Sequence, residues 1–255
     1  IKGLVRKINR SINTQSRKLM KFSDLPKFVI NLDHRVENLS LITEEMNYIG
    51  WSFERFSAIN TNSYMGCTLS HLEVIKIAKE RGYKRVMVIE DDCIFMPYSK
   101  SFIDQLENQI EDIEFSVFNV TPSLNRPVNR SERYDFLLDI TNLPPRNNND
   151  NADTFATNMM IYDESVYDEI FDISLTAFTS GDYFFPIDGY LANHIYPKKQ
   201  SYCPIVPIAP QRRSYSDVSH GMYNNYYTQV YNWNQYSPVK LESFYVHQDK
   251  MEEIK

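Results

Sequence analysis

Four consecutive apolar residues, Val86-Met87-Val88-Ile89, run straight into three acids, Glu90-Asp91-Asp92. The run is rich in β-branching and follows Lys84-Arg85, so it reads as a buried strand. A buried strand that ends in three carboxylates needs a compensating charge. Two like charges about 4 Å apart repel by roughly 4 kcal/mol at an effective dielectric near 20. A hard divalent cation with oxygen ligands is the simplest remedy, and a solvated turn after a strand is the plain alternative. Side chains alternate along a strand, so Glu90 and Asp92 are expected on one face and Asp91 on the other.

The neighbouring segments place this strand in an α/β fold. Phe28 to Leu32 reads as a first strand. Leu39, Ile42, Met46 and Ile49 then recur at helical spacing over 35–49, with Gly50 as the stop. Phe53 to Ile59 reads as a second strand. The helix predicted over Thr68 to Arg81 carries the stripe Leu69, Leu72, Ile75, Ile77 and Ala78 and closes at Gly82. A β-α-β-α-β order implies parallel strands joined by right-handed crossovers, with ligands gathering at the carboxyl ends of the strands. Asn31-Leu32-Asp33, Ala58-Ile59-Asn60 and the acid triplet all fall at that edge.

Further along, a helix is expected near 99–110 and a strand over Phe115 to Val120. Residues 121–153 then turn irregular, with Pro122, Pro127, Pro144, Pro145 and the run Asn147-Asn148-Asn149-Asp150-Asn151. This is long for a structureless loop and suggests a mobile lid or a disordered insertion. Order resumes at Thr154–Ile161, followed by a helix from Asp163, a short helix opened by Pro186-Ile187-Asp188 and a late strand from Tyr202 to Ile208. The chain is expected to divide into a basic extension (1–24), a body (25–220) and an aromatic-rich tail (221–255) packed on it.

Of 255 residues, 42% are hydrophobic, enough for a real core. The net charge of −6 is unevenly spread. Seven bases and no acid lie in residues 1–22, which leaves 20 bases against 33 acids beyond them. A basic leader on an acidic body argues against nucleic acid as the main ligand. The leader reads either as a stem in peripheral contact with an anionic membrane or as a solvated arm. The chain has only 7 glycines and neither a GxxxxGK[ST] nor a GxGxxG motif. Three cysteines without metal-type spacing argue against a disulfide framework. The expected location is therefore cytoplasmic, or peripheral at the cytoplasmic membrane face, rather than a secretory lumen. No stretch reaches about 18 apolar residues.

Several residues outside the triplet are suited to chemistry. Asp188 follows a proline at a helix start, where an acid is stabilised by the helix dipole. It reads either as a cap or as a general base beside a ligand. Ser70 and His71 lie near the start of the helix over 68–81, where phosphate can bind, although a lone histidine is commonly structural. His220 is a further metal ligand or phosphate donor. Arg35 is a phosphate clamp or a helix-surface residue. Tyr223, Tyr226, Tyr227, Tyr231, Trp233 and Tyr236 either stack on an acceptor sugar or pack the tail onto the body.

Together these segments resemble glycosyltransferase family 25, which includes lipopolysaccharide and collagen hydroxylysine galactosyltransferases. The resemblance rests on Val29-Ile30-Asn31-Leu32-Asp33-His34-Arg35, Phe56-Ser57-Ala58-Ile59-Asn60, Gly66-Cys67-Thr68-Leu69-Ser70-His71 and Val88-Ile89-Glu90-Asp91-Asp92. Phe185-Pro186-Ile187-Asp188, Gln211 and Ser216-Asp217-Val218 extend it over about 28–220. The resemblance implies a GT-A type, Rossmann-like α/β domain with a mostly parallel central sheet and helices on both faces. It implies a UDP-sugar donor, Mn²⁺ (or Mg²⁺), and transfer of a hexose with inversion to a hydroxyl on a glycan, a lipid-linked sugar or a protein. By motif matching, Glu90, Asp91 and Asp92 are expected at the metal-diphosphate site, with Glu90 and Asp92 on the metal and Asp91 on the nucleotide sugar. Asn31, Arg35, Ala58, Ser70, His71 and Gln211 are also expected on the nucleotide sugar, and His220 is taken as a further metal ligand. Asp188 is the expected base, with Asp182 and Asp217 as alternatives. Asn60-Thr61 stands where the family usually has Asp-Gly. Two other readings stay open: a transferase-like binding module without turnover, and a metal-dependent phosphoesterase.

Overall fold

In the computed structural model the residues described are 21–61, 64–110, 113–124, 128–142, 154–172, 186–212, 214–216 and 221–223. The first half alternates as expected: β1 (Lys27–Asn31), α1 (Val36–Ile49), β2 (Glu54–Ser57), α2 (Tyr64–Glu80), β3 (Arg85–Glu90) and α3 (Ser99–Ile110). The strands β4 (Val117–Asn119), β5 (Ser123–Leu124), β6 (Asn129–Arg130), β7 (Leu137–Asp139), β8 (Thr154–Phe155) and β9 (Met159–Asp163) follow. Next come α4 (residues 167–172), α5 (Ile187–Tyr190) and the strands β10 (Ser201–Pro204), β11 (Ser214–Ser216) and β12 (Gly221–Tyr223).

The main sheet has eight strands in the order β2-β1-β3-β9-β4-β10-β7-β6. β1 pairs in parallel with β2 and β3, and β10 with β4. β9 is antiparallel to both β3 and β4, and β7 to both β10 and β6. All strands except β9 and β7 therefore point one way, and the fold is the expected α/β one with a mostly parallel sheet. Two small hairpin pairings, β11-β12 and β5-β8, stand apart.

Alternation along β3 separates two cores. Val86 and Val88 join Leu72, Val74, Ile75 and Ala78 of α2, with Ile170 of α4 and Ile187 of α5, on one face. Met87 and Ile89 join Ile42 and Met46 of α1 and Ile103 and Leu106 of α3 on the other. Helices thus cover both faces, and β3, buried on both sides, reads as a continuous apolar run for that reason.

Helix α1 ends as the sequence implies. Gly50 takes φ 83° and its N–H bonds the Met46 carbonyl, a left-handed cap that glycine adopts at little cost. Helix α2 starts four residues earlier than predicted, and β2 is shorter. The strand expected over 202–208 stops at Pro204. Asp163 accepts from the Ser165 N–H and caps the turn that leads into α4, where a helix was expected.

Two features depart from the sequence reading. The stretch 121–142, read as part of a lid or insertion, holds β5, β6 and β7, and Leu124, Val128, Leu137, Leu138 and Ile140 are buried. The Asn-rich run 147–151 lies outside the described residues. Phe22 packs edge-on to Trp51 and Phe118 and is 1% exposed, so the body begins before residue 25. Burying such a ring is worth roughly 1.5–3 kcal/mol. Lys27 is also buried, donating to the Ser23 and Leu25 carbonyls, and burial lowers its pKa to about 8. Residues 1–20 and most of the tail lie outside the described residues. Among the described residues, no helix is long and apolar enough to cross a membrane.

Candidate active site

The carboxyl ends of β1, β2, β3 and β4 share one edge of the sheet, and the polar residues of the first half meet there. Asn31, at the end of β1, is 1% exposed and acts as a junction. Its amide donates to Asp91 Oδ2 (2.6 Å) and to the Arg35 carbonyl (3.0 Å), while its oxygen accepts from Arg55 Nε (3.0 Å). Asn38 of α1 supplies the second amide to Asp91, at 3.1 Å. Asp91 is therefore held by two side-chain amides on the α1 side. Burial raises its pKa, against these donors and the Arg35 charge.

Glu90 points to the opposite face. Its Oε1 accepts from Thr157 Oγ1 (3.0 Å) and from the Cys67 thiol (3.6 Å), and it lies 3.5 Å from His71 Nε2. Burial pushes the Glu90 carboxyl up, but His71, Thr157 and Cys67 outweigh it and hold the group below its usual range. Cys67 and His71 are one turn apart on α2 and so face the same way. The His71 ring is wholly buried, with Nδ1 3.1 Å from the Tyr162 hydroxyl.

The strand ends at Glu90, so Asp91 and Asp92 lie in a turn rather than on alternating faces. Asp92 sits beside the returning segment 208–212: its carbonyl accepts the Arg212 N–H at 2.6 Å, and Gln211 hydrogen-bonds its carboxyl. Burial, then the charges of Glu90 and Asp91, push the Asp92 carboxyl up to about 8. Arg35 lies near enough to oppose that shift.

Asp188 opens α5 and reaches the same region from the other side. The preceding Ile187 N–H donates to Thr68 Oγ1 of α2 (3.1 Å), which docks α5 against that helix. Asp188 Oδ2 accepts the Ala156 N–H at 3.4 Å and Oδ1 the Gly189 N–H at 2.7 Å. The charges of Glu90 and Asp188 both act on Cys67, whose thiol is pushed well up chiefly by burial. Glu90 and Asp188, 98 positions apart in the chain, thus both lie close enough for their charges to act on one cysteine.

Ser70 and His71 build the wall instead of offering their side chains to its surface. Ser70 donates to the Gly66 carbonyl (2.7 Å) and accepts the Ile59 N–H (2.9 Å), which straps the loop after β2 to α2. The Ala58 N–H donates to the Asn31 carbonyl and continues the pairing past β2. Gly66 is fixed by this approach, because a Cβ there would lie 2.3 Å from the Ile59 carbonyl oxygen. His220, Asp182 and Asp217 lie outside the described residues.

The sequence reading missed Cys67 as a contact of Glu90, and it missed Ala156, Thr157 and Asn158. Ala156 has φ 70°, in the left-handed region that a residue with a side chain rarely adopts. From that bend the backbone donates to Asp188, Thr157 donates to Glu90, and the Asn158 carbonyl accepts the Glu90 N–H at 2.8 Å. Asn119, at the end of β4, donates to the Ala156 carbonyl and holds the bend. Only the polarity of Thr157-Asn158 ahead of an apolar strand was visible in advance.

A sequence model of glycosyltransferase family 25 (LPS biosynthesis protein) matches residues 61–132. That stretch contains α2 and the acid triplet, the two elements that form the Glu90 pocket. The chain therefore carries a glycosyltransferase family 25 region over those residues. No curated protein matches the chain. Similar solved structures include a glycosyltransferase involved in the glycosylation of the major capsid of PBCV-1 (10% identity, 70% of this chain and 81% of that one, TM-score 0.44). Another is a mannose-1-phosphate geranyltransferase from Thermus thermophilus (9% identity, 74% and 75%, TM-score 0.40). Scores this low carry no chemical inference.

Proposed function

We propose that this glycosyltransferase moves a hexose from a UDP-sugar to an acceptor hydroxyl on a glycan, lipid-linked sugar or protein, with inversion, at the edge where Glu90, Asp92 and Asp188 converge. The observation that carries the reading is the pairing of Glu90 and Asp188 about Cys67, with Asp92 in the turn that follows. Inverting transfer needs two separated acidic functions: charge compensation for the departing diphosphate and a base for the acceptor.

A hard divalent cation fits this donor set. Asp92 is raised to about 8 by burial and by its acidic neighbours, so ionising it costs free energy that a nearby cation would offset. Glu90 and Asp92 would hold such an ion through oxygen ligands, as Mn²⁺ or Mg²⁺ prefers. When bound, it would offset charge on the leaving diphosphate. The protein's own groups do the rest. Asn31 and Asn38 fix Asp91, Arg35 offers a cation to phosphate beside the turn, and Asp188 takes the proton of the acceptor hydroxyl. Its two backbone donors aim it.

An assay of nucleoside diphosphate release against a panel of sugar acceptors tests this. Release that requires an acceptor supports transfer. Release of the same size without acceptor supports a phosphoesterase, and tight donor binding with no turnover supports a binding module.

A further inference from the structure

Cys67, His71 and Glu90 place a thiol, an imidazole nitrogen and a carboxylate oxygen within 4.8 Å of one another. Among the described residues, no other group of three such side chains is this close. His71 Nε2 is the independent sign of a ligand site. It is buried and points into the cluster, 3.5 Å from Glu90 Oε1 and without a hydrogen bond of good geometry. An imidazole nitrogen left this way costs roughly 1–3 kcal/mol.

We propose that Cys67 Sγ, His71 Nε2 and Glu90 Oε1 form a second metal site, selective for a borderline cation such as Zn²⁺ and distinct in chemistry from a hard-cation site at the acid triplet. The two separations from Glu90 fit. Ligands at about 2.0–2.3 Å from a tetrahedral zinc stand roughly 3.3–3.6 Å apart. Glu90 Oε1 is 3.6 Å from Cys67 Sγ and 3.5 Å from His71 Nε2. Sulfur and nitrogen donors favour zinc over manganese or magnesium, which prefer oxygen.

The second shell is also in place. His71 Nδ1 can donate to the Tyr162 hydroxyl, which leaves the Nε2 lone pair for the metal, the arrangement that orients zinc-bound histidines. Without metal, the same hydroxyl can donate to Nδ1 and leave the proton on Nε2, toward Glu90. One tautomer change and loss of the Cys67 proton to solvent convert the empty cluster into a ligand set. Thr157 stays on Glu90 in both states, and solvent supplies the fourth ligand.

Glu90 is shared between the two sites, so zinc would draw it toward α2 and away from the acid triplet. That competition rests on the transferase reading, but binding itself does not. Co²⁺ titrated into the purified, metal-free chain tests binding directly. The expected result is a thiolate-to-cobalt charge-transfer band saturating at one equivalent, displaced by Zn²⁺ and unaffected by excess Mg²⁺. The band should vanish in Cys67→Ser and persist in Cys203→Ser. A wild-type chain with no such band at excess cobalt overturns the proposal, and this result needs no variant to fold. A band that survives in Cys67→Ser overturns it as well. Because no nucleotide sugar is involved, failure here is separable from failure of the proposed transfer.

Discussion

Asp92 and Glu90 are two residues apart but are held in opposite ways. Donors converge on Glu90, whereas burial and acidic neighbours raise Asp92 to about 8. Between about pH 4 and pH 8 the folded metal-free chain keeps a proton on Asp92 that the unfolded chain has lost. Its contribution to stability is therefore present at low pH and lost as pH rises through that window. Without divalent cation, melting midpoints should fall from pH 5.5 to pH 8, and Asp92→Asn should flatten the fall. Equal slopes in the two proteins would show that Asp92 is not the group responsible. Lys27 does not confuse the test, since its lowered pKa affects stability only above about 8. At Asp188, replacement by Asn keeps an acceptor oxygen for the Ala156 N–H but removes the base. Turnover should drop by roughly 10²-fold or more with donor binding intact. Single-turnover kinetics and a donor titration separate the two, and full turnover would move the base elsewhere.

At the scale of elements, α2 carries most of what the site needs. Its first turns bury Thr68, Ser70 and His71 where a core helix would bury apolar groups, and each hydrogen-bonds a neighbour: α5, the Ile59 loop, or Tyr162. Periodicity located the helix from Thr68 onward but did not extend it to Tyr64, because Gly66 interrupts the first turn. Gly66 holds the junction. Gly66→Ala would force the Ile59 carbonyl aside and is expected to destabilise the fold by at least about 1–3 kcal/mol. A urea melt reads this directly, and an unchanged midpoint would mean that the loop relaxes freely. The caps at Gly50 and Gly82 were legible, since both sit at positive φ just past helix ends. β6 and β7 were not, because they are only two and three residues long and the prolines around them suggested a loop.

At the scale of the molecule, the β-α-β-α-β succession and its parallel strands were readable, whereas the position of β9 was not. Nothing local in Met159–Asp163 says that it inserts antiparallel between β3 and β4. That insertion brings the Ala156–Asn158 bend to Glu90, so half of the pocket was invisible in the sequence while the acid triplet was plain. Charge at the end of a buried strand is a local signal; the donors that hold it come from long-range packing. The sheet carries Glu90 and Asp92 to the edge that faces Asp188, and the claim that matters most is that this edge binds a nucleotide sugar through a cation. Melting midpoints of wild type and Asp92→Ala, with UDP-hexoses and with or without Mn²⁺, test it most directly, since a bound ligand raises the midpoint by mass action. The account predicts a rise for wild type that needs Mn²⁺ and is absent in the variant. An equal rise without Mn²⁺, or in Asp92→Ala, would contradict it.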